Sequence, residues 1–122
     1  MTASTKTVPA ALYTAVFSDT DIDATMTTVS SSAQRIHQID AYNPNGTAVW
    51  LRVYASSSDV VGTDGPAMSL MIPASTRVVT STVKGIRLAA VYVACVTNGG
   101  GTSGADAPLN DVTVKITYGG TT

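Results

Sequence analysis

The sequence predicts an all-β fold, an eight-stranded antiparallel β-sandwich with jelly-roll-like wiring, and three observations carry that expectation. Helix signals are missing: the 122 residues contain no glutamate and no sustained apolar pattern at i, i+3, i+4, i+7, while threonine and valine abound. Short β-branched runs recur between clusters of Asp, Gly, Pro, Asn and Ser, which mark strand ends. Residues 98–108, NGGGTSGADAP, separate two strong strands and are long enough to cross the end of a sandwich, which suits Greek-key or jelly-roll wiring better than a meander.

Taken in order, residues 1–11 read as an N-terminal arm of small polar residues that orders on docking, and residues 12–122 as a single sandwich domain. Strands are expected at 12–17, 24–29, 34–43, 47–56, 67–73, 75–81, 86–97 and 111–118. Between the third and fourth, Asn43-Pro44-Asn45-Gly46 combines a proline with preset φ and an Asn-Gly pair that tolerates left-handed conformations, so these two strands are expected to pair as a hairpin. Gly62-Thr63-Asp64-Gly65-Pro66 forms the loop before the fifth strand, and Pro73 must sit at a strand end or edge because it cannot donate to a ladder. Residues 86–97 are apolar on both alternating faces, so this strand is expected to be covered twice, by the core and by another layer. The last strand alternates cleanly, with Val112, Val114, Ile116 and Tyr118 on one face and Thr113, Lys115 and Thr117 on the other. It has one core face and one wet face.

Charged residues are 12% of the chain, against about 25% in an average soluble domain, although the hydrophobic fraction of 44% is ordinary. The net charge of −1 gives no cationic surplus for phosphate neutralisation, so nucleic acid is not an expected partner. Weak mutual repulsion suits a protein that works packed against neighbours. No stretch approaches the roughly 18 apolar residues of a membrane span, and the N-terminus lacks an apolar signal region with a cleavage site. The expectation is a soluble, unprocessed chain without a membrane partner.

The fourth strand raises the question of its second face. One face carries Val49, Leu51 and Val53; the other carries Trp50, Arg52 and Tyr54, the residue types most enriched at binding hot spots. Either the aromatic face fills the core, as Trp and Tyr often do in sandwiches, or Trp50 and Tyr54 meet another subunit while Arg52 pairs with a carboxylate. Asp19, Asp21 and Asp23 have the spacing that opens a calcium loop, but Ala24 stands where the loop needs glycine and Ser30 where it needs a bidentate glutamate, so a solvated turn is expected and no metal. His37 is the only histidine, with no nucleophile motif and no glutamate beside it, so catalysis and cofactors are not expected. Cys95, the only cysteine, reads as a small buried hydrophobe, and Asn45-Gly46-Thr47 matches the glycosylation sequon but reads as turn.

The run GIRLAAVYVACVTNGGGTSGADAPLNDVTVKITYG, preceded by GTDGPAMSLMIPAS, resembles a pattern found among small structural proteins of tailed bacteriophages. The matching positions are Ile72, Pro73 and Ala74, then Gly85 and Ile86, Val96 and Thr97, and Asn110, Asp111, Val112, Val114 and Tyr118; YNPNGTAVWLRVYAS upstream is similar to that group's hairpin. The likeness covers about residues 34–118 and consists of turns and core positions without a chemical motif. Arg87 and Leu88 depart from it, standing where a bulkier apolar pair is expected.

The resemblance implies a virion protein, foremost a capsid decoration (cement) protein that binds the major capsid protein as a homotrimer and is assembled in the bacterial host cytoplasm. Trp50, Arg52, Tyr54 and Arg87 are its expected contact residues. The alternatives are a neck, tail or head-fibre component, or a glycan-binding sandwich that stacks sugar on Trp50 and Tyr54.

Overall fold

A computed structural model describes residues 15–99 and 103–119. The expected arm, residues 1–11, and the start of the first expected strand lie outside the described residues. Within them are eight strands: β1 (Ala15–Ile22), β2 (Thr27–Ser30), β3 (Gln34–Asn43), β4 (Val49–Tyr54), β5 (Met68–Ile72), β6 (Thr76–Leu88), β7 (Val91–Val96) and β8 (Val112–Gly119). They form two four-stranded sheets, A in the order β1-β8-β3-β6 and B in the order β2-β7-β4-β5, with every neighbouring pair antiparallel. Only β4 and β5 are both consecutive and paired; the other connections step between layers. This is jelly-roll wiring, and it bears out the all-β sandwich.

The core lies between the sheets. Ile22, Ile36, Ile39, Ala41, Val112, Val114 and Ile116 of sheet A face Val49, Leu51, Val53, Ile72, Val91, Val93 and Cys95 of sheet B. Strict alternation explains β8 and β4. In β3 it breaks, because Ile36 and Ile39 are three apart and both buried. The cause is a bulge at His37: Ile36 pairs with Tyr118 but Gln38 with Thr117, so one extra residue is accommodated and the inward phase is reset.

Three sequence expectations are corrected. The segment Asn43-Pro44-Asn45-Gly46 does not close a hairpin, since β3 pairs with β6 and β8 while β4 pairs with β5 and β7. It is a corner between the sheets. Neither Asn45 nor Gly46 adopts the positive φ that a tight hairpin turn needs. Instead Asn43, fully buried, donates through Nδ2 to the carbonyls of Thr47 (2.8 Å), Ile72 (3.1 Å) and Pro73 (3.1 Å) and accepts at Oδ1 from the backbone N–H of Asn45 (2.9 Å). Asn45 in turn bonds the Asn110 carbonyl (2.9 Å) and accepts from the Asn110 N–H (2.7 Å). Two asparagines thus tie this corner to the β5–β6 turn and to the segment entering β8.

The second correction concerns residues 86–97, which are not one strand. Ile86, Arg87 and Leu88 end β6 in sheet A, and the chain crosses at Ala89-Ala90 to begin β7 in sheet B. Two alanines carry no side-chain bulk to obstruct a crossing between layers. The expected strand at 75–81 accordingly runs on to Leu88. Third, β1, described from Ala15, runs on past residue 17 to Ile22 and includes Asp19 and Asp21. Their poor strand propensity is tolerated because β1 is an edge with water on one side.

Asn43→Ala removes a buried donor from three carbonyls at once, so it is expected to lower unfolding free energy by about 1–3 kcal/mol in urea titrations. Leaving stability unchanged would show that the corner does not need the bracket.

Candidate interaction surface

The outer face of sheet B answers the question raised by β4. Val49, Leu51 and Val53 point into the core, and Trp50, Arg52 and Tyr54 lie on the opposite side, across from Val96, Ala94 and Tyr92 of β7. That second side is also covered, by the chain itself. Arg52 is 1% exposed, and its guanidinium donates to the carbonyls of Gly104 (2.9 Å), Ser103 (3.0 Å) and Asn98 (3.2 Å) in the connection to β8.

The same connection braces itself. Asn98 Nδ2 donates to Asp106 Oδ2 (2.9 Å), the Asp106 N–H to Asn98 Oδ1 (2.7 Å), and the Thr97 N–H to the Asp106 carbonyl (2.9 Å). Gly104 has φ +88°, and a Cβ there would fall 2.2 Å from Asn98 Cγ, so a side chain is excluded at the point where the loop turns toward Arg52. Gly99 lies against the Trp50 ring, where a Cβ would sit 3.2 Å from Cζ2.

Tyr54 is fully buried with Ala90, Tyr92 and Ala94, beneath half-buried Met26 and Val61. Its hydroxyl has no hydrogen-bond partner among the described residues. The double cover expected for residues 86–97 therefore holds for β7, every residue of which is buried. Of the expected contact stripe only Trp50 reaches solvent. Arg52 meets backbone carbonyls of its own chain, and Trp50 with Tyr54 does not form an open sugar platform.

The outer face of sheet A is different. Residues share rows across it: Val16, Thr117, Gln38 and Ser81; then Ser18, Lys115, Asp40 and Val79; then Thr113, Tyr42 and Arg77. Val16 is 64% exposed, Val79 50% and Tyr42 43%, so apolar groups stand in water here. The charges in these rows are Lys115 and one ion pair, in which Arg77 Nε donates to Asp40 Oδ1 (2.7 Å) and Nη2 contacts Oδ2. That hydrogen bond holds the Asp40 carboxyl below the usual carboxylate range, helped by the charges of Arg77 and Lys115 and opposed by slight desolvation. A depression of about 210 Å³ lies over Asp40, Tyr42, Arg77, Thr113 and Lys115.

Arg87 is exposed near the end of β6 and sits opposite Arg35, whose Nη1 donates to the Lys84 carbonyl (3.4 Å). It belongs to the rim of sheet A and is not on the face that carries Trp50. The structure does not gather the four expected contact residues into one patch.

Asp19 and Asp23 cap local turns through Oδ1, accepting from the N–H groups of Asp21 (2.7 Å) and Thr25 (2.8 Å). Among the described residues no group of three His, Cys or Asp side chains could hold a metal. His37 is 2% exposed and fills the bulge, with Nδ1 3.4 Å from the Thr82 carbonyl. Gly85, at φ +75°, makes room for it: a Cβ there would sit 2.9 Å from His37 Cε1. Cys95 is buried in the core as expected, and desolvation, with a smaller contribution from Asp23, pushes its thiol up to about 12.

With this geometry in view, comparison of the chain with protein-family models, with curated proteins and with solved structures gives no match.

Arg52→Met is expected to destabilise the protein by about 3 kcal/mol, because several carbonyls lose a charged donor, and to speed proteolytic nicking of the β7–β8 connection. Unchanged nicking would show that another group holds the loop. For Cys95 the folded pKa lies above the unfolded value, so its contribution is fully present below the unfolded pKa near 9 and is lost as pH rises from there toward about 12. A Cys95→Ala variant should lack that alkaline step in a stability–pH profile; the step persisting unchanged would rule the thiol out as its source.

Proposed function

We propose that this chain is a structural protein of a tailed-phage virion, foremost a capsid decoration protein that seats on the major capsid lattice as a homotrimer and has no enzymatic role. The observation that carries the reading is the contrast between the two outer faces. Most of the outer face of sheet B is closed by the chain's own connections, with Trp50 and Met71 left to solvent at its β4–β5 margin, whereas sheet A presents Val16, Tyr42 and Val79 to solvent on a face whose rows carry the Asp40–Arg77 ion pair and Lys115. A weakly charged sheet face with exposed apolar groups is suited to protein contact.

The mechanism would be mechanical. A contact of about 800 Å² per partner is enough for a specific complex, and uncharged contacts repeated over a shell would hold neighbouring capsid subunits together. Three capsid subunits meet at each local threefold position, which suits a trimer. The resemblance of residues 34–118 to phage structural proteins points the same way.

The test is co-sedimentation of the purified chain with phage heads, followed by cryo-electron microscopy of the particle. Val16→Glu with Tyr42→Lys should abolish sedimentation while the melting temperature stays within a few degrees, since both side chains are exposed. Failure of the unaltered chain to attach to heads would remove the reading, and density at the neck or tail would move it there.

A further inference from the structure

We infer that β6 is a homotypic docking edge: two copies of this chain pair their β6 strands antiparallel about a twofold axis through Ser81, joining their two A sheets into one. The inference stands apart from the virion reading, because the trimer proposed there forms on the capsid lattice, whereas this contact joins free chains in solution.

Each sheet edge presents unpaired N–H and C=O groups, and natural edges carry guards against pairing. Three of the four edges here are guarded. β2 is only four residues long. β5 has five residues and runs directly into Pro73. β1 carries Asp19 and Asp21 and breaks register between Asp19 and Ile22. β6 shares one of these guards, a register break against β3 across residues 82–85, but residues 76–81 keep an unbroken ladder. It is the longest strand at 13 residues, contains no proline, and its residues 78–83, VVTSTV, are uncharged and dominated by β-branched side chains. Its ladder to β3 also opens locally, because Ile36 pairs with Ile86 and Gln38 with Ser81, so that residues 82–85 arch away opposite His37. Val83, within that arch, is 81% exposed.

The strand is also complementary to itself. In an antiparallel homotypic pair the twofold axis passes through one residue, which then faces its own copy. With the axis at Ser81, Val79 lies opposite Val83 of the second copy, and symmetry repeats the pair, so the two exposed valines cover each other twice. In the same register Arg77 faces Gly85 and Lys84 faces Val78, and no two cations are opposed. Moving the axis to Thr82 sets Arg77 against Arg87; moving it to Thr80 sets Arg77 against Val83. Cross-strand pairs favour apolar partners and penalise like charges, so the Ser81 register is selected. Edge pairing of this length belongs to the small, transient class of interfaces, so association should depend on concentration.

The experiment uses the full chain. At concentrations on the order of 100 μM, sedimentation equilibrium should show a monomer–dimer equilibrium, as expected for an affinity in the micromolar range or weaker. Ser81→Cys places two thiols on the axis, so mild oxidation should yield a disulfide-linked dimer at least tenfold faster than Val16→Cys on the opposite edge of the sheet. Val79→Lys with Val83→Lys, both at exposed positions, should abolish the dimer and leave the melting curve in place. A strictly monomeric chain, equal cross-linking at positions 16 and 81, or a dimer that survives the double lysine variant would each overturn the inference. Loss of the dimer on deleting residues 1–14 would also overturn it, by assigning the contact to that segment.

Discussion

A guanidinium cannot be taken out of water unless its donors are met, and the burial of Arg52 is the constraint on which much of this molecule depends. Its partners are carbonyls of a glycine-rich connection, groups that a loop can supply without any acidic residue. Holding those carbonyls fixes the connection over sheet B, and the connection then dries the second face of β4 and β7. Over Tyr54, Tyr92 and Ala94 the cover is completed by Met26 and Val61 from two other loops. An asymmetry between the two sheets follows: one outer face is finished by the chain except at Trp50 and Met71, and the other is left to the surroundings.

A second local device shapes sheet A. The bulge at His37 resets the inward phase of β3, so that Ile36 and Ile39 both reach the core, and it forces β6 to arch over the imidazole where Gly85 gives way. One histidine therefore couples the packing of a central strand to the shape of an exposed edge. Its value here is steric, as a ring that fills a gap in two ladders.

Much of the fold was legible because it rests on period-two patterning. β3 matches its expected bounds at residues 34–43, and the clean alternation of Val112, Val114 and Ile116 placed β8. The misreadings have identifiable causes. Asn-Pro-Asn-Gly is a good turn in either a hairpin or a corner, and what decides between them is whether both flanks of β3 are already occupied, which is a tertiary fact. The break at Ala89-Ala90 carries no turn residue, so two strands read as one. For the candidate surface, hydrophobic period showed that residues 86–97 were covered on both faces but could not say by what, and it left open which face of β4 met the core. The density of glycine carbonyls in residues 98–104, next to a strand bearing a central arginine, was the available signal that the cover was internal.

Sheet A also joins the beginning of the described chain to its end, since β1 is held only by β8. On a ribosome, β1 emerges early and has no ladder to enter until Val112–Gly119 has cleared the exit tunnel. The β1 ladder must therefore wait for β8, and this pairing of distant segments forms comparatively slowly. During that interval the β-branched segments of the nascent polypeptide are open to chaperones and to other nascent copies. The rate of translation through the β7–β8 connection thus becomes a factor in how much of this protein reaches its native state.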